Sequence, residues 1–215
     1  MAGGTARREH SSVVNGSKIY SWGGYDSGGF PINTVDIYDI VNNSWSTGLA
    51  GGTARQSHTA IVYNGKMYIW GGYDGYNFLN TVNIYDIISN SWLTPGLAGG
   101  TARVGHASVV YNRKIYSWGG YNSYPYLNTM DIYDIAGNSW STGEAGGTRR
   151  SEHASIINDN KMYSWGGWNG TSYYNTVDIY DAGVETVFGS EMLPSAFLER
   201  CPIDRIPDMA LLTVL

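Results

Sequence analysis

The sequence has little charge, a single cysteine and no long apolar segment. Only 14% of its 215 residues are charged, the formal net charge is -5, and the pI is near 5.2. This charge gives no broad attraction to phosphate backbones or anionic lipids, so nucleic acid and membrane surfaces are not expected partners. No run of eighteen apolar residues is present, and residues 1–12 lack the apolar stretch of a secretory signal. Cys201 cannot form an internal disulfide, so the cytoplasm is the expected compartment.

Glycine and aromatic residues are abundant instead. The chain contains 29 glycines, and 14% of its residues are aromatic. This composition fits many short strands joined by tight turns better than long surface helices, and the length suits a single domain. We therefore expect an all-β fold.

Histidine and tryptophan recur at a period of about 48 residues. Two series stay in register along the chain: His10, His58, His106 and His153, and Trp22, Trp70, Trp118 and Trp165. The units share R-x-x-H, an apolar run, K-(I/M)-Y-x-W-G-G, a variable aromatic stretch and N-T-(V/M)-(D/N)-I-Y-D, and the first three end in N-S-W. A fixed period of this length indicates a repeat architecture.

Each unit divides into four short strands. In the first unit they are predicted at residues 12–14, 18–22, 34–39 and 44–46. A four-stranded sheet of this size cannot bury both faces alone, whereas radial stacking of successive sheets covers them. The sequence therefore predicts a β-propeller with four blades of four antiparallel strands.

The repeated residues resemble those of the kelch family. The double glycine at 23–24, Tyr20 two residues before Trp22, and Trp45 in the fourth strand stand at kelch spacing, and the resemblance covers residues 3 to about 188. It implies a propeller whose first strand is innermost. Kelch propellers usually have more than four blades, so the alternatives are part of a larger ring, an oligomer or a small four-bladed closure.

The repeats are predicted within a propeller domain of residues 1–188. Their bounds are about 3–48, 49–96, 97–144 and 145–188. The fourth unit has Val187 where the others have tryptophan, so we expect a weak outer strand there. Residues 189–215 form a non-repeat tail, which is a docking segment, a short helix or the product of truncation or frameshift.

Seven repeated aromatic residues are expected to pack between the blades. They are Trp45, Trp92 and Trp140, together with Tyr20, Tyr68, Tyr116 and Tyr163. A buried aromatic side chain removes about 150–250 Å² from water, so these residues should dominate the core.

The four histidines open the innermost strand and could form a ring near a central channel. Imidazole binds zinc, copper and nickel, which makes a metal site one interpretation. The other is that a residue repeated in every blade serves the repeat itself, since no Cys, Asp or Glu joins the histidines at metal-ligand spacing. We favour the second interpretation and expect no metal.

An arginine precedes each histidine by three residues, as Arg55 and Arg103 do in the second and third units. In similar kelch proteins this turn shares a rim with the loop between the second and third strands, and arginines there bind acidic partners. The guanidinium fork suits carboxylates. Strict repetition instead favours bracing of one blade against the next. Arg55 and Arg103 are candidate binding residues under the first interpretation.

The loops between the second and third strands differ among the repeats. They read YDSGGFPIN, YDGYNFLN, YNSYPYLN and WNGTSYYN. Loops on a rigid scaffold commonly carry function, and Tyr with Asn, Ser and Gly is typical of recognition loops. The alternative is that the rings fold onto adjacent blades. The candidate binding residues are Tyr76, Phe78, Tyr124, Tyr126, Trp168 and Tyr173.

The pair of residues between each arginine and histidine also varies. It includes Glu9 in the first unit and Glu152 in the fourth, with smaller neutral pairs in the other two. If these pairs face the same mouth as the loops, the two glutamates lie on one side of it. The mouth is then expected to have a polarity.

Three functions fit these residues. A rigid scaffold with an aromatic rim predicts a protein or peptide binding module, and exposed aromatic faces beside asparagine make carbohydrate binding the alternative. Galactose oxidase has a kelch-like propeller, but its copper site needs a tyrosine joined to a cysteine, and Cys201 lies outside every repeat. No Ser/His/Asp set, carboxylate pair or cofactor fingerprint stands apart from the repeat. The sequence predicts a scaffold without catalysis or cofactor, in which self-association could complete the ring.

Overall fold

Four antiparallel sheets make up the part of the chain that this computed structural model describes, residues 3–183 and 186–191. Blade 1 contains β1 (Ser11–Asn15), β2 (Lys18–Trp22), β3 (Val35–Asp39) and β4 (Ser44–Thr47). Blade 2 contains β5 (Thr59–Tyr63), β6 (Lys66–Trp70), β7 (Val82–Asp86) and β8 (Ser91–Trp92). Blade 3 contains β9 (Ala107–Tyr111), β10 (Lys114–Trp118), β11 (Met130–Asp134) and β12 (Ser139–Thr142). Blade 4 contains β13 (Ala154–Asn158), β14 (Lys161–Trp165), β15 (Val177–Asp181) and β16 (Thr186–Glu191).

The strands of each blade pair in chain order, so every blade is a meander. The register repeats as well: Tyr20 lies opposite Ile37 in blade 1, as Tyr68 lies opposite Ile84 in blade 2. The predicted strands agree with those of the structure to within one residue at each end. No helix within the described ranges is long and apolar enough to cross a bilayer.

Three hydrophobic cores lie between successive blades. Between blades 1 and 2, Trp22 and Val35 pack with Met67, Ile69 and Tyr85 of the second blade. Equivalent residues form the core between blades 2 and 3, and again between blades 3 and 4. Each sheet is therefore stabilised by its neighbours, as the propeller prediction requires.

A tryptophan contact recurs at these interfaces. Trp22 of blade 1 lies 5.5 Å from Trp92 of blade 2, and Trp70 of blade 2 lies 5.0 Å from Trp140 of blade 3, both measured between ring centroids. Five of the seven predicted anchors pack between blades in this way or within the cores. The exceptions are Trp45, which is 38% exposed, and Tyr163, and they lie on faces that no other described blade covers.

The fourth blade keeps its outer strand. β16 pairs with β15 so that Val187 lies opposite Tyr180, just as Trp45 lies opposite Tyr38 in blade 1. The register of this pair shifts between Val177 and Ile179. The packing of the Val187 side chain and the predicted tail beyond residue 191 lie outside the described residues.

Candidate binding surface

One end of the propeller carries two segments of every blade: the turn that contains the arginine and the loop between the second and third strands. We call this end the rim. The residue after each arginine forms an antiparallel bridge with the first residue of the loop between the second and third strands. The four bridges are Arg8 with Tyr25, Gln56 with Tyr73, Val104 with Tyr121, and Ser151 with Trp168. The shared rim that the kelch resemblance implied is therefore confirmed.

A cavity of about 530 Å³ opens among the four blades at the rim. Residues of all four blades line it, namely Glu9, His10, Ser57, His58, Val104, Gly105, His106, Tyr121, Tyr126, Ser151 and Glu152. Its volume is in the range of small-ligand and peptide side-chain sites.

A chain of backbone hydrogen bonds runs around this cavity. Ser57 N–H donates to the Glu9 carbonyl at 2.9 Å, Gly105 N–H to Ser57 at 3.2 Å, and Glu152 N–H to Gly105 at 2.7 Å. All four residues have φ between 51° and 61°, a left-handed conformation that non-glycine residues seldom adopt. The repeated conformation directs the backbone of each blade toward its neighbour.

The two glutamates stand at the ends of this chain. Ser57 Oγ donates to Glu9 Oε2 at 2.8 Å, and the Arg8 guanidinium forms an ion pair with the same carboxylate. Ser57 and Gly105 lie between Glu9 and Glu152. The mouth therefore carries carboxylates toward blades 1 and 4 and neutral residues toward blades 2 and 3.

The histidines belong to the blade interfaces. His58, His106 and His153 are buried and meet Trp22, Trp70 and Trp118 of the preceding blade edge-on, with ring centroids 4.8–5.0 Å apart. Burial lowers the pKa of His58 and of His153 to about 3, and lowers that of His106 well below 6.5. These rings are therefore neutral at physiological pH and serve as packing groups.

No group of three or more His, Cys, Asp or Glu residues in the described ranges is arranged to hold a metal ion. The absence of a bound metal from the protein stays a prediction.

The structure corrects the prediction for Arg55 and Arg103. Both side chains are fully buried, so neither reaches a partner at the rim. Arg103 donates to the carbonyls of Gly119 and Thr129 at 2.7 and 3.0 Å, and it forms an ion pair with Asp131. Each guanidinium also lies over the tryptophan of the preceding blade, at 5.6–6.0 Å from the ring centroid. The buried arginine and its acceptors, which we call the clamp, thus hold the strands of one blade together. The contact of the guanidinium with the preceding blade's tryptophan fits the interpretation that the arginine braces one blade against the next.

In blade 2 one acceptor of the arginine differs from that of the other blades. The arginines of the other blades, Arg7, Arg103 and Arg150, pair with aspartates, whereas Arg55 Nη2 donates to the amide oxygen of Asn83 at 3.2 Å. Burial lowers the pKa of Arg55 to about 10. The acceptor of this guanidinium in the third strand is therefore neutral, and the charge of Asp74, which raises the pKa of Arg55, offsets the effect of burial only in part.

The loop aromatics form a continuous ladder along the rim. Six rings succeed one another across blades 2, 3 and 4, with centroid distances of 4.9–6.2 Å: Tyr73, Phe78, Tyr121, Tyr126, Trp168 and Tyr173. The contacts from Phe78 to Tyr121 and from Tyr126 to Trp168 join neighbouring blades. Four predicted binding residues are therefore brought together. Phe78, Tyr126 and Trp168 contact a ring of an adjacent blade, as the alternative interpretation required, whereas Tyr173 contacts Trp168 of its own blade.

Tyr76 and Tyr124 stand apart from the ladder. Their side chains are 88% and 80% exposed at the tips of the loops of blades 2 and 3. They occupy the same loop position, which is Thr171 in blade 4. These two rings are the most accessible aromatic groups on the rims of blades 2 and 3.

Two ladder residues were not predicted. Tyr73 and Tyr121 directly follow the double glycine in their repeats. Tyrosine or tryptophan stands at this position in every unit, so the residue resembled part of the constant repeat. The signal that was available is that this residue begins the variable loop.

The fold and the rim together define a kelch-type β-propeller. A family model of the Attractin/LZTR1 beta-propeller matches residues 2–186, and the chain belongs to that family. No curated protein gives a significant match to the sequence.

Proposed function

We propose that this propeller is a non-catalytic scaffold that binds a protein or peptide through its rim. The observation that carries the proposal is the six-ring ladder, which crosses three blades beside the cavity. Aromatic side chains supply large contact areas at a low cost in conformational entropy. The packing of each ring against the next holds the surface in place before a partner arrives, which reduces the cost of binding.

The orientation of the rings favours a peptide over a sugar as the ladder's partner. Four of the five ladder contacts are tilted or edge-on, at 44–84° between ring planes. In these contacts the edge of one ring covers part of the face of the next, so less of each face is free to stack on a sugar, whereas peptide side chains do not need a flat open face. Tyr76 and Tyr124 do offer free faces, and they support carbohydrate as the second candidate.

The charge at the mouth favours a neutral or cationic group in the cavity. Glu9 and Glu152 line it, and the Arg8 guanidinium offsets the charge of Glu9 only, whereas Arg55, Arg103 and Arg150 are buried. Arg149 Nη1 donates to the Tyr126 carbonyl at 2.8 Å, so it is partly engaged at the rim. Arg8 and Arg149 are exposed at the rim, so an acidic peptide is disfavoured only inside the cavity, beside Glu152.

Replacing both Tyr76 and Tyr124 with alanine is expected to weaken binding and leave the fold intact. Each ring should contribute on the order of 1 kcal/mol to binding from its place beside the ladder, or about fivefold in affinity. The free energy of unfolding should change by less than about 0.5 kcal/mol, because both rings are exposed. The probe is a peptide selected on the wild-type protein from a display library, titrated by fluorescence anisotropy.

Ile88→Ala is the matched control. Ile88 is equally exposed but lies in the turn between β7 and β8, at the opposite end of the blade from the rim. The control should bind as wild type does. A double variant that retains wild-type affinity would contradict binding through these rings, and a glycan array that yields the only ligands would favour the second candidate.

A further inference from the structure

The blades do not bury their equivalent tryptophans equally. Trp22, Trp70 and Trp118 are at most 3% exposed, whereas Trp165 in blade 4 is 57% exposed. The innermost strands pack in the order β1, β5, β9, β13, and β13 and β1 share no contact of similar extent. The described blades therefore form an open arc with one free face on blade 4 and one on blade 1.

The free face of blade 4 has the residues of a blade interface, but no described blade packs on it. A Cβ atom added at Gly23, Gly71 or Gly119 would lie within 2.5–2.7 Å of the next blade's histidine, whereas no atom of the described residues lies within 4 Å of that position at Gly166. Gly24, Gly72 and Gly120 donate their N–H groups to the arginine carbonyl of the next blade at 2.7–2.8 Å. Gly167 N–H makes no such bond within the described ranges.

The free face of blade 1 carries the opposite half of the same interface. Val62, Ile87 and Trp92 of blade 2 contribute to the core with blade 1. Their counterparts Val14, Ile40 and Trp45 are 38–49% exposed. His10 likewise has no tryptophan beside it among the described residues, although the other three histidines do.

We propose that blade 1 of a second copy of this chain docks on the free face of blade 4. The contact repeats the one between blades 1 and 2, so His10 and Trp45 of the second copy would pack on Trp165. The second copy's Arg7 carbonyl would accept from Gly167 N–H. At the rim, Tyr173 would meet the second copy's Tyr25, as Phe78 meets Tyr121.

The reason for choosing a second copy is that this chain holds both halves of the interface in matching register. Blade 1 already has its clamp, since Arg7 and Asp36 form a buried ion pair. Tyr173, at the end of the ladder, is 87% exposed, so the rim is open at the same place as the core. Because the two faces differ, the contact is heterologous: copies join head to tail, and assembly ends only when a ring closes.

The test is complementation between two defective copies, measured by sedimentation equilibrium over a concentration series. Wild type is expected to exceed the 23.5 kDa mass of one copy. Trp165→Asp disables the blade 4 face and Trp45→Asp the blade 1 face, and each should weaken association at least about thirtyfold. An equimolar mixture should form a heterodimer, because each variant retains the face that the other lacks.

Ile88→Asp is the control for a charge on an exposed apolar residue outside both faces, and it should associate as wild type does. Circular dichroism checks folding, and Ile40→Asp replaces Trp45→Asp if that variant unfolds. The proposal is overturned if the wild type remains at the mass of one copy. If deletion of residues 192–215 then allows association, the chain's own tail is assigned to the blade 4 face instead. Association that survives Trp45→Asp but not Trp165→Asp also overturns it, because blade 4 would then pair with blade 4.

Discussion

Asp131→Asn is expected to lower the free energy of unfolding by about 3–5 kcal/mol, the usual cost of breaking a buried ion pair. Asp131 and Arg103 are both almost completely inaccessible to water, and they form an ion pair inside blade 3. Thr101 N–H also donates to the Asp131 carboxylate, at 2.9 Å. The substitution leaves a guanidinium buried beside a neutral amide.

The reverse substitution in blade 2 is expected to stabilise the protein. Asn83→Asp would give Arg55 the carboxylate that its counterparts already have, and a hydrogen bond to a charged group is worth about 1.5–3 kcal/mol. Part of this gain is offset by desolvation of the new carboxylate, so the net increase should be on the order of 1–2 kcal/mol.

Urea unfolding at neutral pH, followed by circular dichroism, measures both changes. Asp86→Asn is the matched control, because Asp86 accepts backbone hydrogen bonds in an exposed turn and asparagine can replace it there. It should change stability far less than Asp131→Asn does, because the site is exposed. If Asp131→Asn costs no more than this control, or if Asn83→Asp destabilises the protein, the clamp does not depend on charge.

The fold could be predicted from the sequence because its determinants are local and repeated. The spacing of His10 and Trp22, the double glycine and the strand pattern recur in every unit, and they specify a four-stranded blade without reference to its neighbours. The burial of Arg103 could not be predicted in this way. Its partner Asp131 is 28 residues away, and arginine is seldom fully buried unless it is paired. The available signal was the aspartate or asparagine that every unit carries in its third strand.

The open faces could not be predicted from the sequence for a different reason. Trp22 and Trp165 occupy the same place in nearly identical motifs, yet one is buried and the other exposed. The difference depends on whether another blade follows in space. A local sequence pattern contains no information on that point, so the closure of the ring stayed open among three alternatives.

Acidification is expected to unfold the protein well above the pH at which its carboxylates titrate. His58, His106 and His153 are buried and neutral, with pKa values lowered to about 3 for His58 and His153 and well below 6.5 for His106. In the unfolded chain these groups titrate near 6.5. Below that pH the unfolded state binds protons that the folded state does not, so stability falls as the pH falls.

The expected slope is about 1.4 kcal/mol per pH unit for each histidine, or about 4 kcal/mol per pH unit for all three. Stability should be constant above about pH 7 and decline from about pH 6.5 toward 3. By about pH 5 the loss should reach about 6 kcal/mol, which is comparable to the whole stability of many domains. Asp39, Asp86 and Asp134 have pKa values lowered by hydrogen bonds from turn backbone amides, so they contribute only below about pH 4.

Urea unfolding at a series of pH values between about 7.5 and 5 measures this slope. His58→Gln should remove about one third of it, whatever its effect on stability at neutral pH, because one titrating group is lost. His10→Gln in the Trp165→Asp background is the control, since His10 is exposed in a single copy and has no tryptophan beside it among the described residues. Burial lowers its pKa too, but its burial is smaller than that of the other three histidines, so we expect a smaller change in slope. A stability that is flat down to pH 5 would mean that the buried histidines accept protons in the folded state, and the packing role assigned to them would then be wrong.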